Sequence, residues 1–330
     1  MANFVKTIKK WMLPIAMVTG ASMYFIYDML PEPVHKAGPF LDSLVKSLQP
    51  LLIFSMLFLT FSRIEPRDLK PHRWHWWLLL IQGGLFVGIG LLLAGLSVWL
   101  PGADPVGASQ GETAWWLLLG ESVMLCLICP TATAAAVVTR KLGGDVAGIT
   151  TYTVLINIVT ALMVPLIVPL IHPMSGFGFW EAFSLIVAKI FPLLIMPCLA
   201  AWLVRYLAPR LHRRLLRYPD LAFYLWAVAL TLAIAVTTKS VLNTELSVGL
   251  ILMMAAASLV CCIAQFALGR HLGGLRDCTV TAGQSLGQKN TVFAIWMGYT
   301  FMTPETAIVG GLYSVWHNLY NSWQLRRVVN

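Results

Sequence analysis

Apolar residues run along this chain in blocks of about twenty, parted by short polar connections. Ten blocks are long enough to cross a bilayer: 11–30, 44–62, 76–100, 114–139, 147–171, 180–207, 221–239, 247–269, 278–302 and 305–325. A crossing helix needs roughly 20 mostly apolar residues. No stretch between the blocks resembles a soluble domain, so residues 1–330 read as one all-α transmembrane domain. Two blocks are interrupted. The fourth contains Leu125-Cys-Leu-Ile-Cys129-Pro130-Thr131-Ala-Thr133, where the proline removes a backbone donor and crowds the turn before it. The ninth contains Gly283-Gln-Ser285-Leu-Gly287-Gln288-Lys289-Asn290-Thr291, a polar stretch flanked by apolar residues. Both breaks fall in the fourth member of a set of five. Five is odd, so the sets run with opposite topology. Residues 11–171 and 180–325 thus read as inverted repeats, with broken helices 4 and 9 crossing at mid-membrane.

Composition agrees with this reading: 58% of the residues are hydrophobic and 11% charged. Lysine and arginine then give the orientation. Eighteen lie in the two terminal arms and in the loops after spans 2, 4, 6 and 8, among them Lys9, Arg63, Arg140, Arg213, Arg276 and Arg327. The opposite loops hold only Lys36 and Lys239. Both termini are therefore expected on the cytoplasmic side. The formal charge of +9 is a topology signal; no basic run interleaves with aromatics, so nucleic acid is not an expected partner. The first block lacks a small-residue cleavage site and reads as a retained helix. No Asn-x-Ser/Thr acceptor occurs, which fits a bacterial inner membrane. The six cysteines all fall in apolar blocks and read as buried thiols, and Cys126-x-x-Cys129 has no partner pair that would complete a metal site. No nucleotide-binding loop is present, and neither Cys129 nor His317 has a carboxylate placed to support catalysis, so no cofactor and no enzymatic activity are expected.

Lys289 is the residue on which the mechanism is expected to turn. An ammonium at the bilayer centre costs roughly 2.5–3.5 kcal/mol on insertion scales and demands partners or a purpose. Two other intramembrane charges, Glu121 and Lys189, lie about seven and nine residues into their spans from the same side, at depths that agree within a few ångström. They are expected to form a pair facing the substrate crevice. Asn157 and Gln265 read as contacts between helices, and the tryptophans at 74, 76, 77, 115 and 116 as interfacial anchors.

The motifs carry a resemblance to a known family. Cys129-Pro-Thr-Ala-Thr-Ala-Ala-Ala-Val137 followed by Gly144-Asp-Val-Ala147, then Ser285-Leu-Gly-Gln-Lys-Asn-Thr291, and Tyr313-Ser-Val-Trp-His-Asn318 are similar to the span-4, span-9 and span-10 motifs of the bile acid:sodium symporters. Leu57-Phe-Leu-Thr60 and Gln82 fall where that family has a span-2 motif and a span-3 glutamine. The resemblance implies a panel domain (spans 1, 2, 6, 7), a core domain (3, 4, 5, 8, 9, 10), substrate between them, and two sodium ions near the crossing. The sodium ligands do not carry over. The span-4 Ser-Asn pair is Ala135-Ala136, a span-5 serine is Ile149 although Thr153 is kept one turn later, the span-9 glutamate is Ser285, and its neighbouring glutamine is Lys289. In the family, two sodium ions and one glutamate leave a net +1, which one protonated lysine also supplies. Broken helices aim partly negative carbonyl ends at the crossing, and an ammonium with three donors can stand where an ion stood. The expectation is a carrier of an organic anion, a bile-acid-like or other amphipathic carboxylate, without sodium. Lys289, Ser285, Gln288, Asn290, Thr291, Thr131, Thr133, Gln82 and Thr153 would line the crossing. Proton coupling through a desolvated Lys289 and a non-transporting sensor or scaffold of the same fold are the alternatives.

Overall fold

The computed structural model describes residues 2–32, 36, 38–99, 115–174, 176–218 and 220–329. Among the described residues fourteen α-helices run in order: α1 (Ala2–Asp28), α2 (Gly38–Phe61), α3 (Arg73–Trp99), α4 (Trp115–Ile128), α5 (Ala135–Lys141), α6 (Val146–Ile171), α7 (Phe179–Leu194), α8 (Met196–Leu207), α9 (Pro209–Leu216), α10 (Leu221–Leu242), α11 (Val248–Gly274), α12 (Thr279–Gly287), α13 (Thr291–Phe301) and α14 (Ala307–Val329). A helix or a helix pair lies over every predicted apolar block. The predicted span ends at 100 and 114 lie outside the described residues. Among the described residues there are no strands, only an isolated antiparallel bridge between Thr131 and Lys289.

Among the described residues five helices, α2, α3, α6, α10 and α11, are each long and apolar enough to cross a membrane. The pair α7–α8 qualifies jointly and bends by 43° at Ile195, between Pro192 and Pro197. The polypeptide is thus a polytopic helical membrane protein. The fourth and ninth blocks each hold two short helices. At 14 residues, α4 is roughly 21 Å long, short of a hydrocarbon core of about 30 Å. Their interruptions are the ones that Pro130 and the Gly283–Asn290 stretch predict.

Local sequence sets the other ends. Asp145 caps α6 by accepting from the backbone N–H of Ala147 and Gly148, and Ser247 caps α11 by accepting from Leu250. α9 is short and amphipathic and carries Arg210, Arg213 and Arg214. The basic connection after α2 meets α8 and the turn after α9: Arg63 donates to the carbonyl of Tyr218, and Arg205 of α8 to the carbonyl of Ile64 and the carboxylate of Glu65. One end of the bundle is therefore rich in arginine.

Helix α1 packs on α10, α10 on α2, and α2 on α8. A second set packs α3 on α6 and α4, α11 on α12, α4 and α14, and α13 on α14. Close approach is built with glycine. A Cβ on Gly269 of α11 would lie 2.5 Å from the Ala282 carbonyl oxygen of α12, and one on Gly20 of α1 would lie 2.4 Å from the Thr231 carbonyl oxygen of α10. Both obstacles are backbone, which cannot turn aside. Gly269→Ala should therefore lower stability by about 1–3 kcal/mol as α11 and α12 are forced apart. Gly84→Ala, on a face of α3 with nothing within 4 Å, should raise it by up to about 1 kcal/mol through helix propensity. Thermal unfolding of the two variants in detergent checks the opposite signs.

Candidate functional site

The two breaks meet inside the second helix set. The chain after α4 and the chain after α12 run antiparallel and exchange backbone hydrogen bonds: Ala132 N–H donates to Gln288 O at 2.9 Å, and Asn290 N–H to Pro130 O at 2.8 Å. Thr131 Oγ1 adds a bond to Ser285 O at 2.7 Å. Asn290 then caps the next helix, its Oδ1 accepting from Phe293 N–H. Each break is in this way pinned by the other.

Stopping α4 at Ile128 frees a row of carbonyls, and each finds a donor from elsewhere. Cys126 O would pair with residue 130, but Pro130 has no N–H, and Gln265 Nε2 of α11 donates to it at 3.2 Å. Lys289 Nζ donates to Leu127 O at 3.1 Å. Thr160 Oγ1 of α6 donates to Ile128 O at 3.0 Å, and Gln82 Nε2 of α3 to Cys129 O at 3.3 Å. Gln82 is itself held by Tyr152, whose hydroxyl donates to its Oε1 at 2.7 Å. The end of α12 is handled alike, with Tyr313 of α14 donating to Gly287 O at 2.8 Å.

Lys289 is 2% exposed, and its whole stem is enclosed. Beside it lies a cavity of about 10 Å³, room for about one water, lined by Cys126, Cys129, Lys289, Thr291 and Tyr313 among others. The six cysteines are free thiols. Among the described residues no group of three or more His, Cys, Asp or Glu could hold a metal ion.

Most of the predicted site residues come together here: Lys289, Ser285, Gln288, Asn290, Thr131 and Gln82 meet at the bridge, and Thr291 lines the cavity. Two do not join the bonding. Thr153 is buried but its hydroxyl donates to Ile149 O of its own helix, and Thr133 is half-buried at the start of the turn into α5. Ala135 and Ile149 are fully buried, and Ala136 is half-buried.

The expected Glu121–Lys189 pair is corrected by the structure. Glu121 is fully buried and bonds to His172 Nε2 at 2.5 Å and to the backbone N–H of Thr303 at 3.0 Å. Lys189 is exposed, with its ammonium 5.7 Å from the Phe301 ring centre. Matching depth did not decide the pairing. The end of α6 and the turn between α13 and α14 close over Glu121 first. His172, Thr160, Tyr152 and Tyr313 were not anticipated. A signal existed for Thr160, which extends the polar series Thr153, Asn157, Thr160 along one face of α6 at helical spacing. Asn157 and Gln265 do bridge helices: Asn157 Nδ2 reaches Leu194 O at 3.5 Å, and Gln265 also contacts Tyr313.

Fold and site together define a polytopic membrane protein with two interrupted helices whose breaks meet. The chain belongs to the SBF-like CPA transporter family, whose model matches residues 17–326, and this is the bile acid:sodium symporter-like family to which the motifs pointed. It is accordingly a membrane transport protein in class. No curated protein matches the chain.

Removing the Thr131 hydroxyl deletes one bond across the crossing, and Thr131→Val should cost about 1 kcal/mol. Gln82→Leu leaves both Cys129 O and the Tyr152 hydroxyl without a partner, and should cost roughly twice as much. Unfolding midpoints of the two variants test that order; equal shifts would mean the Cys129 carbonyl is held by something other than Gln82.

Proposed function

We propose that this protein is a secondary transporter that moves an organic anion by alternating access without sodium, with Lys289 as a tethered cation at the crossing. The single observation that carries the reading is the buried side chain of Lys289, whose Nζ donates to the freed carbonyl of Leu127 at the end of a broken helix. Helix ends carry about half an elementary charge, so a carbonyl end in a dry interior favours a cation. In the family resemblance that cation is sodium. The donors present here do not suit sodium, which needs several oxygens. The matching positions hold Ala135, Ala136, Ile149 and Ser285, and an ammonium shares the space. One protonated lysine also keeps the net +1 that two sodium ions and a glutamate would give. A site left positive favours a carboxylate substrate, bile-acid-like or otherwise amphipathic.

The packing supports the proposed architecture of ten spans in two inverted repeats. The first helix set, α1, α2, α8 and α10, would be the panel, and the second the core. The Tyr299 hydroxyl donates to Gln49 of α2 at 2.5 Å, a half-buried contact between the two sets, which would have to break or slide as one moves against the other. With the arginine-rich end cytoplasmic, both termini face the cytoplasm of a bacterial inner membrane.

Proton exchange at Lys289 is the second reading. It is favoured by the water-sized cavity that touches the lysine.

Uptake of a labelled bile acid into proteoliposomes, with external sodium or choline at fixed pH, tests the proposal. Equal uptake in the two salts is expected, with a loss of roughly tenfold or more in Lys289→Gln, which keeps a donor for Leu127 O but removes the charge. Uptake that requires sodium would overturn the tethered-cation reading. Uptake that follows an imposed pH gradient and loses that response in Lys289→Gln would favour the second.

A further inference from the structure

Polar side chains line the region between Lys289 and the arginine-rich end of the bundle. On α14 they form one stripe: Tyr313, His317, Asn321 and Gln324, at spacings of four, four and three. The stripe is 2–8% exposed and spans roughly 16 Å. It faces α12. Tyr313 donates to Gly287 O, and Gln284 Nε2 donates to Asn321 Oδ1 at 2.9 Å and to Gln324 Oε1 at 2.7 Å. Lying between Tyr313 and Asn321 on the stripe, His317 is level with the segment of α12 from Gln284 to Gly287. The outer mouth is set by Thr281, whose hydroxyl accepts from the backbone N–H of Asp145 at the turn after α5.

The seam is underbonded. Among the described residues, eleven buried side-chain N or O atoms have no protein partner, and six of them lie on the three elements that bound it. They are Thr139 Oγ1 on α5, Gln284 Oε1, Ser285 Oγ and Gln288 Oε1 on and just after α12, and His317 Nδ1 and Asn321 Nδ2 on α14. An orphaned buried polar group costs about 1–3 kcal/mol, so six on three adjoining elements call for water as the missing partner. Apolar packing elsewhere in the core contrasts with this. The Phe293, Ile295 and Met297 side chains of α13, on the far side of the crossing, are fully buried, and the water-sized cavity beside Lys289 reaches into that side as far as Ala294 and Val309.

We propose that the seam between α12 and α14 is a hydrated path by which water, and protons with it, reach Lys289 from the arginine-rich end. The far side of the crossing stays closed by the apolar packing of α13. The titratable groups facing Lys289 are the thiols of Cys126 and Cys129 from the α4 side and of Cys261 and Cys262 from α11, with Tyr313 and then His317 from α14; no carboxylate is among them. The path therefore ends at a lysine faced by thiols and a phenol, with no carboxylate among the described residues beside it. Its role in transport rests on the reading of Lys289 as the resident cation; its existence does not.

The test is labelling by a charged, membrane-impermeant methanethiosulfonate in vesicles of known orientation, with adducts located by peptide mass spectrometry. Asn321→Cys and Ser285→Cys should label from the arginine-rich face roughly tenfold faster than the native buried Cys198, since reactivity follows thiolate character and access. Adding Asn321→Leu to Ser285→Cys should suppress the deeper labelling. Labelling no faster than at Cys198, or labelling of Ser285→Cys from the opposite face, would overturn the path. Should either variant fail to fold, hydroxyl-radical footprinting of the unaltered chain decides. His317, 3% exposed, should be modified several-fold faster than the fully buried His75, and equal rates would overturn the path. The two proposals fail separately. Labelling intact with no sodium-independent uptake rejects the carrier alone; uptake intact with no labelling rejects the path alone.

Discussion

Everything at the centre of this protein follows from the carbonyls that α4 leaves unpaired when it stops at Ile128. In a lipid interior an unpaired backbone group costs several kcal/mol, so a helix cannot end there without donors waiting. Five consecutive carbonyls, from Cys126 to Pro130, are met by Gln265, Lys289, Thr160, Gln82 and the backbone N–H of Asn290. Those donors come from α11, α6, α3 and the second break. The need to satisfy one helix end thus fixes the positions of three other helices. It also explains why polar residues that look scattered along the chain converge in space.

The breaks were legible in the sequence, because proline and glycine act on the backbone locally and their effect is written where they stand. Pro130 cannot donate to Cys126 O, and Gly287 lies so close to the Phe266 ring that a Cβ there would come within 2.3 Å of it. The crossing residues were legible for the same reason: a lysine, an asparagine and two glutamines in an apolar block have few places to go. The partners were not legible. Thr160 and Gln265 sit in helices whose rotation is set by packing over their whole length, and a single sequence does not give rotation. The Glu121–Lys189 expectation failed on this point. Depth along two helices agreed, but which faces met was decided by His172 and by the turn at Thr303, elements that hydropathy reads as connections.

On the proposed reading, an ammonium in place of a bound ion changes the energetics of the crossing as well as its chemistry. A bound ion equilibrates with solution, so the carbonyl end it covers is neutralised only in proportion to occupancy. Lys289 is covalently held, and its desolvation is part of the folding free energy of the chain. The same lysine is adjacent to the residues that join the two breaks, since Gln288 O and Asn290 N–H on either side of it make the backbone bonds to the other strand. Charge and backbone bridge are thus built from one tripeptide.

A tethered cation also limits which parts can move. On the proposed reading the crossing cannot empty, so its two half-helix ends stay bonded through every state and the core travels as one body. Motion must then be taken up where the two helix sets meet. The contacts there are of a different kind: the Tyr299–Gln49 bond, the Asn157 reach to Leu194 O at the bend of α7–α8, and apolar surfaces such as Ile186 and Ile190. Apolar faces slide without leaving unpaired groups, whereas the crossing would expose five carbonyls if it opened. The difference in cost between those two places is the physical reason to expect alternating access by displacement of the helix sets, with the interrupted helices carried along intact.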